Sequence, residues 1–482
     1  MLAKLFKQGM HYASGTLLLS VASLVSFPIL TRFLPVDQYG MLSLLTTLSG
    51  LCVAVYKFGL QQSVVRYFRH DDNDFYSSIL FSFLLSVFLV SIFLCTAYIF
   101  IEIDIRPEYF YLILLVSIFQ SIRSIVMSNY AANEQSLFVN AINVSYKYGS
   151  LLLMLLFIFY YEKSAFSVLL SLLIVDAMFS ALIFLKWTSS FNVVKPKITT
   201  VRTLFLYGSP LMLAELIQMA HAFIDRFLIE YYFDLERVAA YVAPYSMSKI
   251  ISDIIFGGLA VAIVPIYMGL WNRKEYEQTS QLLSKTSDYF LLIFPIAVGG
   301  LYLISDSLIS IAASDKYSET AYIMPIVFLG VGMFASTFIY SAGLRIKKNQ
   351  SKILQYVTES LILNVVLNIL FLEEYGIHVS AWATVCSYFW MSLRYFFASR
   401  TIINISFNWN SLLLGSFIAL VLVVIESAIF VFDIQLLNLI IRLLIGGAIS
   451  VVMLFIFSKE VNHDMRMMYS LFINKMFKNK AT

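Results

Sequence analysis

Apolar residues in this chain come in long blocks separated by short polar breaks. Fourteen such segments can be delimited, at 12–30, 40–63, 77–100, 109–133, 138–160, 165–185, 202–225, 238–268, 286–309, 321–343, 353–371, 378–398, 410–431 and 436–458. Most are near the ~20 residues a helix needs to cross ~30 Å of hydrocarbon. A spanning barrel would instead show segments of about ten residues in strict alternation. Because backbone polar groups must be satisfied internally in lipid, the pattern predicts transmembrane helices. The eighth segment is too long for one plain span, so it is expected to extend past the membrane or to break near Pro265.

Composition agrees. The chain has 482 residues, of which 60% are hydrophobic and only 13% charged. A soluble chain of this length needs roughly a quarter of its residues charged, and surface-to-volume scaling excludes one vast buried bundle. With the N-terminus in the cytoplasm and strict alternation, the inner regions carry twenty-one of the 33 Lys and Arg. The outer loops carry six and the spans themselves the remaining six. That bias follows the positive-inside rule and predicts that both termini are cytoplasmic. Twelve crossings with two re-entrant segments are the alternative count.

Lys4 and Lys7 precede the first apolar run, as in a signal peptide. No small-x-small cleavage site follows, so a retained first helix is expected. Cys52, Cys95 and Cys386 lie inside spans without metal-ligand spacing, which argues against a disulfide framework. The net charge of +4 gives no argument for nucleic acid as a partner. No P-loop or HExxH is present, so no nucleotide or zinc chemistry is indicated. Of the histidines, His221 alone lies within a span, where a packed, hydrogen-bonded role is expected.

The chain repeats. FPILTRFLPVDQYG (27–40) closes span 1 and opens span 2; HAFIDRFLIEYYFDLERVAAY (221–241) closes span 7 and opens span 8. The following helices, YKFGLQQSVVRYF and DIIFGGLAVAIVPIYM, each carry a Phe-Gly well before their inner end. The offset is six spans, an even number. It predicts parallel repeats about an axis along the membrane normal, as in two transporter lobes. The expected divisions are an N-terminal lobe at 1–185, a polar cytoplasmic linker at 186–201, a C-terminal lobe at 202–398, two further helices at 399–458, and a cytoplasmic tail at 459–482.

Charges at depth carry the functional signal, since each costs roughly 2.5–3.5 kcal/mol at the bilayer centre on insertion scales unless it faces an interior or water. Arg123, Lys147 and Asp176 lie mid-span in the first lobe; Glu215, Lys249 and Asp253 lie mid-span in the second. Lys57, Arg394, Arg442, Asp288 and Glu426 lie nearer helix ends, where long side chains reach the interface. Two readings compete. Lys249 and Asp253 are four residues apart and can neutralise each other, and Arg123 or Lys147 can pair with Asp176. Alternatively these charges line a solvated, partly cationic lumen that concentrates anions. Gly208 and Pro210 weaken the ladder of span 7 just before Glu215, a candidate gate or ion site.

The stretch ESLILNVVLNILFLEEYGIHVSAWATVCSYFW (359–390) places Asn364 and Asn368 on one helix face. Amides there serve as interhelical glue. Gly376 permits a tight turn between antiparallel neighbours.

LNVVLNILFLEEYGIHVSAWATVCSYF resembles the asparagine-rich helix, turn and small-residue helix of bacterial polysaccharide exporters. These are the oligosaccharide-lipid flippases, including the O-antigen (Wzx-like) type, in the superfamily that also holds the multidrug and toxic compound extruders. TRFLPVDQYG (31–40) and GLQQSVVRYF (59–68) resemble the same family's outer turn between spans 1 and 2 and its inner end of span 2. The family often has Gly-Ala-Ala after the hairpin turn, where this chain has His378, Val379, Ser380 and Ala381.

The resemblance implies an all-α polytopic membrane protein of 14 transmembrane helices. It implies two six-helix lobes forming a V, with spans 1, 2, 7 and 8 lining the cavity. The implied cargo is an undecaprenyl-pyrophosphate-linked oligosaccharide, flipped from the inner to the outer leaflet of the bacterial inner membrane. It implies membrane lipids and polysaccharide polymerase machinery as partners. Lys57, Arg123, Lys147 and Lys249 are then candidate substrate-binding cations. Glu215, Asp225 and Asp253 are candidates for coupling to a proton or sodium ion, while Asp176, Asn364 and Asn368 are structural. Membrane potential or consumption of product outside are other sources of work. A multidrug extruder, with an acidic cavity suited to cationic drugs, is the competing function. A membrane-bound glycosyltransferase would need larger outer loops than this chain has. Single cysteines placed at 186–201 and at 344–352 are expected to react with impermeant label only from the cytoplasmic side; labelling of the two loops from opposite sides overturns the topology.

Overall fold

The computed structural model describes residues 2–68, 72–100, 106–429, 432 and 434–458. The expected tail at 459–482 lies outside the described residues, as do His70 and His463. The side chains of Lys4, Lys7 and His11 are likewise outside the description.

Helix occupies each of the fourteen apolar segments. The first half contains α1 (Leu2–Phe33), α2 (Val36–Lys57), α3 (Leu60–Tyr67), α4 (Asn73–Phe100), α5 (Pro107–Ala132), α6 (Ser136–Tyr160) and α7 (Ala165–Thr188). The second contains α8 (Ile198–Tyr232), α9 (Leu235–Ser252), a π-helical turn (Asp253–Gly257), α10 (Gly258–Asn272) and α11 (Tyr276–Ala312). A 3₁₀ turn (Asp315–Thr320) leads to α12 (Ile323–Ala335), α13 (Thr337–Tyr340), α14 (Ala342–Ile346), α15 (Gln350–Tyr375) and α16 (His378–Arg400). The chain then forms α17 (Trp409–Glu426) and α18 (Gln435–Phe457). Among the described residues, twelve helices are long and apolar enough to cross a membrane, counting α9 through α10 and α12 with α13 as single helices. The protein is therefore an all-α, multi-pass membrane protein. The described apolar part of α1, Leu18–Phe33, is shorter. α16 is diluted by Ser380, Thr384, Ser387 and Ser392, all of which are buried in the protein.

Packing is organised in two groups and an appendage. In the first, α1 packs on α6, α2 on α5, α5 on α7, and α6 on α7. In the second, α8 packs on α15, α9 on α12, α12 on α16, and α15 on α16. α17 and α18 both lie on α11. Between lipid-immersed helices the hydrophobic effect is absent, so close contact depends on small residues. α17 follows this rule. A Cβ at Gly415 would fall 2.5 Å from the Leu292 carbonyl oxygen, and one at Gly299 would fall 2.7 Å from the Ala419 Cα.

Both Phe-Gly dipeptides mark irregular backbone. The first separates α2 from α3, with Phe58 at φ 47° and Gly59 at φ 68°. The second closes the π turn at Phe256 and Gly257. The long eighth segment therefore changes helical type at 253–257 and not at Pro265, which sits inside α10. A π turn inserts a residue without ending the helix, so the segment continues to Asn272. Pro210 likewise does not break α8, which runs unbroken for 35 residues.

Arg442, expected to reach the interface, is instead paired inside the protein. Arg442 is buried; it pairs with Glu426 at 3.1 Å and donates to the Leu303 carbonyl at 2.9 Å, tying α18 to α17 and α11. Arg394 pairs with Glu359 at 3.2 Å.

Substituting Gly415 by Val forces a branched side chain into a backbone contact. We expect a loss of about 1–3 kcal/mol, seen as a lower melting temperature of the purified protein; an unchanged melting temperature would show that α17 is not held by this contact.

Candidate functional site

The two helix groups meet along α2 and α3 on one side and α8 and α9 on the other, with α1 beside α9 and α10. The contacts form two layers.

The layer expected on the inner side begins where α2 breaks. The left-handed conformations of Phe58 and Gly59 turn the chain so that Gly59 lies on the Gly208 backbone of α8, leaving no room for a Cβ on either residue. Gly208 thus serves close approach rather than a kink. Ser63 Oγ donates to the Leu204 carbonyl at 3.0 Å. Phe58 and Phe205, and Tyr67 and Tyr207, meet edge-to-face at 5.1 and 5.4 Å. Above them Lys57 Nζ binds Glu215 at 2.6 Å, the Lys57 side chain only 7% exposed and that of Glu215 25%. Gln61 Nε2 donates to the second oxygen of Glu215 at 3.2 Å, and Ser124 Oγ donates to Gln61 Oε1 at 2.6 Å. The two helix groups are thus joined by an ion pair whose acid keeps an exposed edge.

The layer expected on the outer side is made differently. Arg226, at the end of α8, donates to Ser43 Oγ at 2.9 Å and to Thr47 Oγ1 at 3.3 Å on α2. Its guanidinium lies 4.5 Å from the Phe223 ring centre and 5.5 Å from that of Tyr245. Gly40 abuts the Leu235 carbonyl. Tyr39 meets Tyr317 edge-to-face, and Arg32 donates to the Ile311 carbonyl.

Between the ends of α8 burial is only partial. Its buried residues are Val201, Leu204 and Gly208 near one end and His221, Asp225, Arg226 and Ile229 near the other; none falls at 209–220, where Glu215 reaches Lys57 and Met219 lies against Gly50 of α2. Lys249 and Asp253 pair at 2.8 Å, each side chain 49% exposed, the acid being the first residue of the π turn.

The remaining sequence candidates fall in two separate polar cores. In the first lobe Asp176 is fully buried. It receives Gln120 Nε2 at 2.9 Å and Tyr146 Oη at 3.1 Å, with Arg123 Nε 3.5 Å away and stacked 3.7 Å from the Tyr146 ring centre. Lys147, on the next residue of α6, is half-buried and has no ion pair among the described residues. In the second lobe Asp225 accepts from Tyr241 Oη. Nearby, Asn364 donates to Thr384 Oγ1 at 3.5 Å, Asn368 to Asn364 Oδ1 at 3.2 Å, and Ser380 to Asn368 Oδ1 at 2.6 Å. His221 bonds Ser360 Oγ at 2.7 Å. Lys57, Glu215, Lys249 and Asp253 thus lie on the helices of the interlobe seam, while Arg123, Asp176, Asn364 and Asn368 bind within lobes. Sequence reasoning missed Arg226, Gln61 and Tyr241. The available signal for Arg226 was the Arg-Phe-Leu shared by the two repeated stretches, Arg32 to Leu34 and Arg226 to Leu228. Among the described residues no group of three or more His, Cys, Asp or Glu could hold a metal ion.

The profile of the polysaccharide biosynthesis protein family matches residues 5–271, more than half of the chain. The chain belongs to the polysaccharide biosynthesis protein family. Over 220 residues it is 20% identical to the probable low-salt glycan biosynthesis flippase Agl15 of Haloferax volcanii, covering 45% of this chain and 46% of the relative. The chain therefore spans about half the length of that curated relative. Its fold superposes on the lipid II flippase MurJ in an inward closed conformation with a TM-score of 0.75 at 15% identity, covering 95% of this chain and 99% of the other. It also superposes on an inward-facing multidrug resistance MATE family transporter of the MOP superfamily, with a TM-score of 0.64 at 11% identity, covering 79% and 94%. This family member thus has the fold of that superfamily.

Glu215→Gln should strand the Lys57 ammonium in a nearly dry site. A loss of about 1–3 kcal/mol is expected, less than for a fully buried pair because Glu215 is partly exposed. The Lys57→Met, Glu215→Met double variant should recover most of it, since no charge is left unpaired. Thermal melts of these proteins and of the Lys57→Met and Glu215→Met single variants test this; strictly additive losses in the cycle would mean that the two residues do not interact.

Proposed function

We propose that this protein is a flippase. It carries an undecaprenyl-pyrophosphate-linked oligosaccharide, an O-antigen, capsule or exopolysaccharide repeat unit, from the inner to the outer leaflet of the bacterial cytoplasmic membrane. The observation that carries this reading is the interlobe seam. Two layers of contact bracket a partly exposed stretch of α8, and the Lys57–Glu215 pair crosses the seam there. A polar glycan and an anionic pyrophosphate cannot cross ~30 Å of hydrocarbon unaided, whereas a polyprenyl chain can remain in lipid. A seam that opens by one layer at a time meets both needs by alternating access.

Charge balance favours an anionic cargo over a cationic drug. Glu215, Asp176 and Asp253 each have a basic partner at 2.6–3.5 Å, so their charges are offset. Lys147 then remains as a cation without an acid partner among the described residues. Lys57 and Lys249 can exchange a carboxylate for a phosphate oxygen, an exchange of similar contacts that keeps binding reversible. Glu215, Asp225 and Asp253 are the acids on which a proton or sodium ion would act.

The matching order of packing in the two helix groups supports parallel lobes at 1–185 and 202–398, joined by the linker 186–201 and followed by the helices of 399–458. Fourteen crossings put both termini on one side, and the Lys and Arg bias supports the cytoplasm as that side. The polymerase that extends the delivered repeat unit is the expected downstream partner.

Purified protein in liposomes should move a polyprenyl-pyrophosphate oligosaccharide between leaflets. Lys249→Ala should slow that flux about 10–100-fold, the loss of one charge-assisted contact, without lowering protein yield. Transport of cationic drugs but not of the glycolipid would establish the extruder reading instead, and unchanged flux in the variant would remove Lys249 from the path.

A further inference from the structure

At one end of the first helix group the starts of α2 and α5 and the α6–α7 turn line an open cavity of about 600 Å³. It is built by the first turn of α2 (Asp37, Gln38), the start of α5 (Arg106, Glu108, Tyr109) and the α6–α7 turn (Tyr161 to Ser164) with Phe166. This is the end that the charge bias assigns to the outside. The volume falls within the about 300–1,000 Å³ usual for small-molecule sites.

Its walls are held in place. The Ala165 amide donates to Gln38 Oε1 at 3.2 Å, fixing the α6–α7 turn against α2. Gln38 Nε2 donates to Asp37 at 2.9 Å. Ser164 caps α7 by accepting from the Ser167 amide, and its hydroxyl lies 3.0 Å from Glu162 Oε2. Tyr109 and Phe166 pack edge-to-face at 6.0 Å, giving a rigid aromatic floor, while Tyr161 stands 63% exposed at the rim.

The charged groups keep free hydrogen-bonding capacity beyond the Gln38–Asp37 and Ser164–Glu162 contacts. Although Asp37, Glu108 and Glu162 share the cavity with Arg106 and Lys163, no ion pair joins any of these five among the described residues. The cavity therefore offers carboxylate acceptors, cationic donors, an amide and aromatic faces, with one more acid than base. Sugar hydroxyls bind such acceptors and donors, and the C–H faces of a pyranose pack on tyrosine and phenylalanine. An isolated anion would meet net repulsion. Tyr39 and Gly40, the next two residues of α2, form the outer seam with Tyr317 and Leu235. The cavity and the outer seam thus share the first turns of α2.

We propose that this cavity is a carbohydrate-binding vestibule that receives the glycan of the cargo as the outer layer opens. It selects neutral or amino-bearing sugars over uronates. The proposal rests on the flippase reading for its role in transport, but not for sugar binding itself.

Binding of three soluble probes to the full-length protein in lipid nanodiscs tests it: chitotriose, the chitosan trimer and trigalacturonate, followed by saturation-transfer NMR. The first two should bind and the third most weakly. Tyr161→Ala and Glu108→Gln, both on the exposed rim side of the lobe, should each weaken binding about tenfold or more, whereas Lys249→Ala should not. Absence of binding by all three probes, or equal binding by the rim variants, overturns the vestibule. Glycolipid flux in the same proteins separates the two ideas. Flux without probe binding discards the vestibule and keeps the carrier. Tyr161-dependent probe binding by a protein that moves no glycolipid keeps the vestibule and discards the carrier.

Discussion

A charge within hydrocarbon needs a partner or water, and this constraint arranges the protein. Arg123 and Asp176 are matched inside the first lobe, Lys249 and Asp253 along one helix, Arg394 and Glu359 across a hairpin, and Arg442 and Glu426 between the last two helices. Lys57 and Glu215 differ in kind, because their pair joins α2 to α8 across the seam between the two helix groups. A pair within one group ties neighbouring helices, whereas this one ties the groups to each other.

The two layers of the seam use different chemistry. The inner one combines glycine backbone contact, aromatic edges and an ion pair. The outer one relies on an arginine giving hydrogen bonds to two hydroxyls, with backbone contact again at a glycine. Hydroxyls are weaker partners for a guanidinium than a carboxylate, so the outer layer has the smaller electrostatic hold. Irregular backbone sits on this seam at both Phe-Gly sites. A left-handed break and a π turn each interrupt the regular ladder at a place where a helix must bend if the lobes rock.

The polar core of the second lobe shows how one network can serve packing. Asn364, Asn368, Thr384 and Ser380 bond one another around the α15–α16 hairpin, and His221 of α8 bonds Ser360 of α15, which donates to the Ser387 carbonyl of α16. Each group on its own would be expensive in an apolar interior, and together they fix how the two helices meet. Asp225 lies at the edge of this core beside Arg226, so it borders the interlobe contact and the interior alike.

Apolar block length and charge bias in the sequence determined that this is a chain of many long helices with polar turns, because water and hydrocarbon sort residues before any helix meets another. The Phe-Gly dipeptides were also legible, as repeated glycines out of place in greasy helices. Only tertiary structure decided which charges are partners. Asp176 takes Arg123 rather than Lys147, and Glu215 takes Lys57, 158 positions away. It also decided that Arg226 turns inward, that Gly208 receives a backbone rather than bending a helix, and that the 253–257 region yields before Pro265. Pairing and close approach depend on the rotation of each helix about its axis. That rotation is set by neighbours on all sides, and a near-uniform apolar surface carries almost no record of it.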